Sequence, residues 1–262
     1  MLFKPEEFKI DLTKKKDLTM FSDLDGTLIS SLDKTSDAVC VATKNNRCTS
    51  FMSLDTYNKF QELKDKLNIV PVTTRCLTSY NNVKLTKGIG DALVDNGAVL
   101  VHKDCIVDSE WLEESYKLSK ADRNNFNKCR EILEKYGYKE KWGSNFVLDY
   151  VNRSPNLTER DKQNMEIELV RHGAGLKVKV GKTSAVVLFT ILSKGNNLKR
   201  YLDKYKNIQP LISAGDTGED ETMFGSTLYS IGKDTGSATF CCSEEGMSDF
   251  VVSKSLELIN SL

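Results

Sequence analysis

Two aspartates, Asp23 and Asp25, stand two residues apart directly after a short apolar segment at residues 20–22. If that segment is a buried strand, this spacing can direct both carboxylates into one space beyond its carboxyl end. One carboxylate could then attack phosphorus while the other supplies a proton to the leaving group. Gly26 permits a tight turn there, but an Asp-Gly turn is also common without any chemistry. The pair alone therefore leaves a phosphoryl-transfer site and an ordinary turn as open alternatives.

Two further segments carry residues of the same kind. Thr73, Thr74 and Arg75 follow a second apolar run at residues 69–72. A threonine hydroxyl and nearby N–H groups could hold a phosphoryl oxygen there, or the threonine could simply cap a helix. Lys194 opens a predicted helix, where its charge opposes the helix dipole unless an anionic group lies nearby. The alternative for this lysine is a solvated side chain on the surface.

The acidic segment at residues 215–224 includes Asp216, Glu219 and Asp220. Asp216 and Asp220 are four residues apart, so one helical turn would place them on the same side. Carboxylates are the hard oxygen ligands that magnesium prefers. Because the chain contains only two histidines, an oxygen-rich magnesium site is favoured over a zinc site. A helix cap formed by Thr217 and Asp220 is the competing interpretation.

The four segments support one another, because each follows a predicted strand or opens a predicted helix. In a folded core, Asp23, Asp216 and Asp220 would surround a divalent cation, and Lys194 would offset the remaining negative charge. Phosphoryl transfer needs this combination of positioning and charge neutralisation. The sequence therefore predicts a magnesium site for chemistry on phosphate.

Hydrophobic patterning predicts an α/β core interrupted by a second unit. The first part of the chain has a strand at 20–22, a helix at 54–67 and a strand at 68–72. The last part has a helix at 193–205 and strands at 210–214, 228–231 and 250–252. We therefore assign residues 1–80 and 190–262 to the core.

The middle of the chain, residues 81–189, is predicted to be an antiparallel sheet with helices. Asn96-Gly97 stands between two short apolar runs and predicts a tight hairpin turn. A second hairpin is predicted around residues 181–183. The remaining elements expected here are helices at 111–136 and 157–171 and a strand at 145–151.

Composition argues against several classes of function. The chain has 262 residues, of which 39% are hydrophobic and 28% charged, as suits a protein with a sizeable core. Lys+Arg and Asp+Glu both number 37, so no nucleic-acid surface is expected. No apolar run reaches the roughly 18 residues of a membrane span, and the N-terminus lacks the apolar stretch of a signal peptide. Seven scattered cysteines without a CxxC pair suggest a reduced, cytoplasmic protein.

The motifs together resemble those of the haloacid dehalogenase superfamily of phosphatases. The matching residues, in the family's order, are Asp23-Leu24-Asp25-Gly26-Thr27 for DxDGT, then Thr73, then Lys194, then Gly215-Asp216 through Asp220 for GDxxxD. The insertion lies between the second and third motifs, as in members with a C2-type cap. Asn96-Gly97-Ala98 resembles the turn that opens such a cap. This branch includes sucrose-phosphate, trehalose-phosphate and mannosyl-3-phosphoglycerate phosphatases.

The resemblance implies a Rossmann-like core with a parallel sheet and an inserted α+β cap that selects the leaving group. It implies that Asp23 attacks phosphorus and becomes a phospho-aspartate. Asp25 would protonate the leaving oxygen and then activate water, while Thr73 and Lys194 would hold the phosphoryl group.

Mg²⁺ is the cofactor that the resemblance implies. Its ligands would be the side chains of Asp23 and Asp216 and the backbone carbonyl of Asp25, with Asp220 binding directly or through water. The expected partner is a small phosphate ester such as a sugar phosphate, bound by a monomer or homodimer without membrane or nucleic acid.

Substrate contacts are expected from Thr74, Arg75, Asn96 and Gly97. Two positions depart from the branch's pattern: Thr74 replaces the usual glycine, and Glu219 stands where many members have Asn or Thr. Glu219 would add a carboxylate near the metal and could alter its coordination. Two other functions stay open, a sugar phosphotransferase that uses the same phospho-aspartate and a non-catalytic metabolite-binding protein.

Overall fold

The computed structural model describes residues 10–30, 37–152, 157–181, 183–233, 236–243 and 246–262. Its strands are β1 (Leu18–Ser22), β2 (Ala38–Lys44), β3 (Arg47–Ser53), β4 (Asn68–Pro71), β5 (Ala92–Val94), β6 (Val99–His102), β7 (Ile106–Val107), β8 (Lys139–Glu140), β9 (Val147–Val151), β10 (Leu176–Val180), β11 (Ser184–Phe189), β12 (Gln209–Gly215), β13 (Tyr229–Lys233) and β14 (Phe240–Cys242). Its helices are α1 (Leu54–Lys66), α2 (Leu77–Tyr80), α3 (Ser109–Ser119), α4 (Arg123–Lys135), α5 (Glu159–Arg171), α6 (Lys194–Lys204), α7 (Glu221–Phe224) and α8 (Met247–Asn260).

A five-stranded parallel sheet positions the predicted site. Its strand order is β14-β13-β12-β1-β4, so β1 lies inside the sheet between β12 and β4. All five residues of β1 are buried, as expected for a parallel strand that is covered on both faces. The carboxyl ends of these strands meet at one edge, where ligands bind in open α/β sheets. The predicted α/β core is confirmed.

Strands β5, β6 and β7 form an antiparallel sheet beside the core. Val72, just beyond β4, forms a parallel bridge with Leu93 of β5, and the Thr73 N–H donates to the Leu93 carbonyl at 2.9 Å. The predicted turn between β5 and β6 is confirmed, with φ of +62° at Asn96 and +89° at Gly97. Because these contacts tie the three strands to the core, we propose that the inserted unit begins after them and not at residue 81.

The inserted unit contains a second sheet, with the antiparallel order β10-β11-β9-β8. Val180 of β10 pairs with Ala185 of β11, which confirms the hairpin predicted around residues 181–183. Helices α4 and α5 pack against this sheet, and Phe126 of α4 stacks on Phe189 with 4.4 Å between ring centroids. This part of the chain therefore has the predicted α+β structure with an antiparallel sheet.

The prediction of a final strand at residues 250–252 is wrong, because these residues lie inside α8. The buried residues of this helix include Met247, Val251, Val252 and Leu256, and their spacing matches one helical face. That face packs against α1. A run of three apolar residues cannot by itself distinguish a buried helix from a strand.

The hairpin of β2 and β3 was not predicted from the sequence. Its turn places Asn45 and Asn46 at φ of +50° and +60°. Asparagine tolerates this left-handed conformation, so Asn45-Asn46 was a usable hairpin signal. A disulfide joins Cys40 and Cys48 across the two strands, which corrects the prediction that the cysteines are all reduced.

Candidate active site

Asp23 lies at the carboxyl end of β1. Its backbone N–H donates to the Ala214 carbonyl of β12 at 2.9 Å, so the sheet ladder itself fixes its position. Its side chain is buried. Gly26 follows with φ of +85°, and a Cβ at this position would lie 2.3 Å from Oδ2 of Asp216. Glycine is therefore required for the β1 loop to approach the β12 loop this closely.

Asp216 and Asp220 lie in the loop after β12. The Thr27 hydroxyl donates to Oδ1 of Asp216 at 2.9 Å, which joins the two acidic loops. Asp220 is fully buried, and its Oδ2 accepts hydrogen bonds from the N–H and hydroxyl of Thr217 at 3.0 and 2.7 Å. Oδ2 of Asp220 thus closes a turn with Thr217 and does not cap α7, whose N-cap Asp220 makes no side-chain capping hydrogen bond. The other oxygen of Asp220 faces Lys194.

Lys194 connects the two acidic loops. Its Nζ lies 2.7 Å from Oδ1 of Asp23 and 2.5 Å from Oδ1 of Asp220. Only 2% of its side chain is exposed, so the alternative of a solvated surface lysine is excluded. Ser193 caps α6, and the Gly195 N–H donates to the Thr222 hydroxyl at 2.9 Å, which fixes the start of the helix against α7.

The electrostatics of this cluster follow from its burial. Burial raises the pKa of Asp23 to about 7, although the positive charge of Lys194 opposes the shift. Burial would lower the pKa of Lys194, but Asp220 and Asp23 outweigh this and raise it. Burial also raises the pKa of Asp216 against the Thr27 hydrogen bond. The lysine therefore stays charged. The site holds an excess of acidic over basic groups, and the raised pKa values mean that ionising Asp23 and Asp216 is unfavourable without a further positive charge.

That excess fits a divalent cation. Oxygens of Asp23, Asp216 and Asp220 lie within 4.8 Å of one another. Three carboxylates face one ammonium group, and buried charge of one sign requires compensation. Oxygen donors on two rigid loops suit magnesium. The Asp25 side chain is not part of this group. The predicted role of its backbone carbonyl as a metal ligand stays a prediction.

Arg75 and Asp25 form a bidentate ion pair. Nε and Nη2 of Arg75 lie 2.5 and 2.6 Å from the two carboxylate oxygens of Asp25. Thr73 is fully buried, and its hydroxyl accepts from the Arg75 N–H at 3.2 Å. Arg75 therefore holds the carboxylate of Asp25, the predicted acid and base, in place. The substrate contact expected of Arg75 stays a prediction.

A cavity of about 510 Å³ opens beside this pair, between the core, the β2–β3 hairpin and the inserted sheet. Asp25, Thr74 and Arg75 of the predicted residues line it. Sequence reasoning missed its other polar and aromatic lining, which includes Thr43, Lys44, Ser50, Lys141, Trp142 and Asp149. No local signal could have identified these residues, because distant segments bring them together.

Asn96 and Gly97 do not line this cavity, and their role as substrate contacts stays a prediction. Asn96 is buried, and its Nδ2 donates to the Leu192 carbonyl at 3.0 Å. Nδ2 of Asn197 donates to the same carbonyl at 3.0 Å and to the Asn96 carbonyl at 3.1 Å. A Cβ on Gly97 would lie 2.6 Å from Cβ of Asn197. The two residues therefore fasten the turn between β5 and β6 to the start of α6.

Comparison with solved structures identifies the fold. Sucrose-phosphatase from Synechocystis sp. PCC6803, solved with sucrose and phosphate, is 16% identical, with 94% of this chain and 98% of that one covered and a TM-score of 0.61. The C-terminal domain of C. albicans trehalose-6-phosphate phosphatase is also 16% identical, with 98% and 94% covered and a TM-score of 0.61. A phosphatase of the haloalkanoate (HAD) enzyme superfamily from Bacteroides thetaiotaomicron is 15% identical, with 97% and 99% covered and a TM-score of 0.56.

No family model and no curated protein matches the sequence. At these low identities, the structural likeness establishes the fold. The chain has the fold of HAD-type phosphatases with a C2-type cap, so the resemblance inferred from the motifs is confirmed at that level. Within the described segments, no helix combines the length and apolar character needed to cross a membrane.

Proposed function

We propose that this chain is a magnesium-dependent phosphomonoesterase that hydrolyses a small phosphate ester, a sugar phosphate, through a phospho-aspartate on Asp23. The observation that carries this proposal is the buried cluster in which Lys194 contacts both Asp23 and Asp220. A structural ion pair would need one carboxylate for one lysine, whereas this cluster brings three carboxylates, including that of Asp216, around one lysine. A site of this kind suits a metal ion and a transferring phosphoryl group.

In the first step, a carboxylate oxygen of Asp23 attacks phosphorus, and the bond from phosphorus to the leaving oxygen breaks. Asp25 would leave its bidentate pairing with Arg75 to carry a proton, which it transfers to that oxygen, so the product leaves as an alcohol. Lys194 and Thr73 hold oxygens of the phosphoryl group during the transfer. In the second step, Asp25 takes a proton from water, the water oxygen attacks phosphorus, and Asp23 is released with inorganic phosphate.

Asp23, Asp216 and Asp220 would hold the magnesium ion, together with the backbone carbonyl of Asp25. The chemistry that the ion supplies is charge neutralisation on the phosphoryl oxygens. Arg75 orients the Asp25 carboxylate at the wall of the cavity, where the leaving group would lie.

The cavity supports a sugar as the leaving group. Its volume of about 510 Å³ falls within the range of about 300–1,000 Å³ for small-molecule sites. Hydroxyl side chains such as Thr43 and Ser50 can bond sugar hydroxyls, and the Trp142 ring offers an apolar face. Because the cavity begins at Asp25, the leaving group would extend from the phosphate toward the inserted unit.

The test is a phosphatase screen over a panel of metabolite phosphate esters, with and without Mg²⁺. The wild-type chain should release phosphate from at least one sugar phosphate only when Mg²⁺ is present, and Asp23→Asn should abolish this release. Asp203→Asn, which changes an exposed aspartate of α6, is the matched control and should retain activity. Full activity of Asp23→Asn would refute the mechanism, and a wild-type chain inactive on the whole panel would refute the function.

A further inference from the structure

Glu219, expected beside the metal, has a different partner. The three carboxylates that approach one another are those of Asp23, Asp216 and Asp220. Oε2 of Glu219 instead forms an ion pair with Nζ of Lys177, a residue of β10 in the inserted sheet. Only 5% of the Glu219 side chain is exposed, and a carboxylate so buried requires a cation. That cation comes from the inserted unit.

The two partners belong to different parts of the molecule. Lys177 pairs with Leu188 across the β10–β11 hairpin, so the inserted sheet carries it as a rigid element. Glu219 lies in the loop between β12 and α7, directly before Asp220. If the inserted sheet moved away, this ion pair would break. If it closed without Lys177, a carboxylate would be left buried and unpaired, which is strongly unfavourable.

Hydrogen bonds connect Glu219 to the catalytic cluster on both sides. Its N–H donates to the Thr217 hydroxyl at 3.3 Å, and this hydroxyl donates to Asp220 at 2.7 Å. Its carbonyl accepts from the Thr222 hydroxyl at 2.6 Å, which in turn accepts from the Gly195 N–H at the start of α6. Displacement of Glu219 would therefore disturb both Asp220 and the helix start that carries the cluster's lysine.

We propose that Lys177 and Glu219 form a latch that holds the inserted unit closed over the site and positions the acidic loop when it closes. Both are positioning residues, and their catalytic effect rests on the proposed phosphatase function. Other contacts also join the two units. Among them, the Ser144 hydroxyl donates to Asp95 at 2.5 Å, and Nζ of Lys44 lies 4.0 Å from the Trp142 ring centroid. The latch differs from these contacts because it ends on the loop that carries Asp216 and Asp220.

The experiment compares Lys177→Met with Lys177→Arg and with Lys179→Met, a control that alters an exposed lysine of the same strand. On a sugar phosphate that the wild type hydrolyses, Lys177→Met should lower kcat/KM about tenfold, which corresponds to about 1.4 kcal/mol. Lys177→Arg should retain most activity because it keeps the charge, and Lys179→Met should match the wild type.

A double-mutant cycle and a structural readout complete the test. Lys177→Met combined with Glu219→Gln should lower kcat/KM little further than either change alone, because both remove the same contact. Small-angle X-ray scattering should give a larger radius of gyration for Lys177→Met than for the wild type and Lys179→Met. Unchanged scattering together with wild-type kcat/KM would overturn the latch. Because scattering needs no substrate, it tests the latch even if the chain hydrolyses no ester.

Discussion

The acidic cluster and the neighbouring cavity hold their side chains in opposite ways. In the cluster, Lys194 and Asp220 are buried and are bound on several sides by charged or hydroxyl groups. In the cavity, Lys44 and Trp142 are partly exposed and contact each other across two separate units. A reacting phosphate needs groups that are fixed before it arrives, whereas a leaving group is selected by surfaces that surround it. Each of the following substitutions tests one side of this contrast.

The largest effect is expected for Lys194→Met, which removes the charge at the centre of the cluster. Asp23 and Asp220 would remain buried without their cation, at a cost of about 3–5 kcal/mol in the free energy of unfolding. Urea denaturation in the presence of a metal chelator measures this loss, and hydrolysis should also disappear. Lys199→Met, an exposed lysine of the same helix, should stay within about 0.5 kcal/mol of the wild type. If Lys194→Met were as stable as the wild type, the buried carboxylates of Asp23 and Asp220 would not depend on the charge of Lys194.

The next largest effect is expected for Gly26→Ala. The left-handed backbone alone costs about 1–3 kcal/mol for a residue with a side chain. The new methyl group would also meet Asp216 at 2.3 Å, and displacement of that carboxylate should reduce kcat about 100-fold. Gly90→Ala is the matched control, because its φ is not positive and a Cβ there meets nothing within 4 Å. Equal activity of the two variants would contradict the close approach of the acidic loops.

A pH-dependent effect on the free energy of unfolding, about 1.4 kcal/mol for each unit of pKa shift, is expected from Asp95, at the junction of the two units. Burial raises the pKa of Asp95 to about 7, against the hydrogen bond from Ser144. The folded state therefore binds this proton more tightly than the unfolded state. Its contribution to stability is present below about pH 4 and is lost as the pH rises toward 7.

The Asp95→Asn variant should lack this decline, so its unfolding free energy should vary less between pH 4 and 8 than that of the wild type. Chemical denaturation across this pH range measures the difference. Asp65→Asn, an exposed aspartate of α1, should leave the wild-type pH profile unchanged. Parallel profiles for the wild type and Asp95→Asn would show that Asp95 keeps the same proton affinity in both states.

The smallest effect is expected on the cavity side, for Trp142→Ala. If the ring packs against the leaving group, its loss should raise KM several-fold, toward about tenfold, and leave kcat nearly unchanged. Steady-state kinetics on the preferred ester separates the two constants. Ile106→Ala, which removes an exposed side chain outside the cavity, should change neither. A fall in kcat at constant KM would show that Trp142 contributes to the chemical step. It would contradict the view that the cavity serves only to select the leaving group.

Local sequence signals identified the residues of the acidic cluster but not the helix α8. Asp23, Lys194, Asp216 and Asp220 were predicted because each stands at the end of a strand or the start of a helix. In a parallel sheet, such positions converge at one edge whatever the intervening chain does. By contrast, Phe250-Val251-Val252 was predicted as a strand, because three apolar residues carry no period that separates a strand from the buried face of α8.

The sequence by itself determined the parallel core, the antiparallel insertion and the residues that form the acidic cluster, because strand ends and helix starts encode these locally. Only the tertiary structure decided that Arg75 pairs with Asp25, that Asn96 binds the Leu192 carbonyl before α6 and that Glu219 faces Lys177. It also decided the lining of the cavity, for which the hairpin, the core loops and the inserted sheet each supply a part. These contacts join residues far apart in the chain, and their geometry depends on how whole elements pack, which no local spacing specifies.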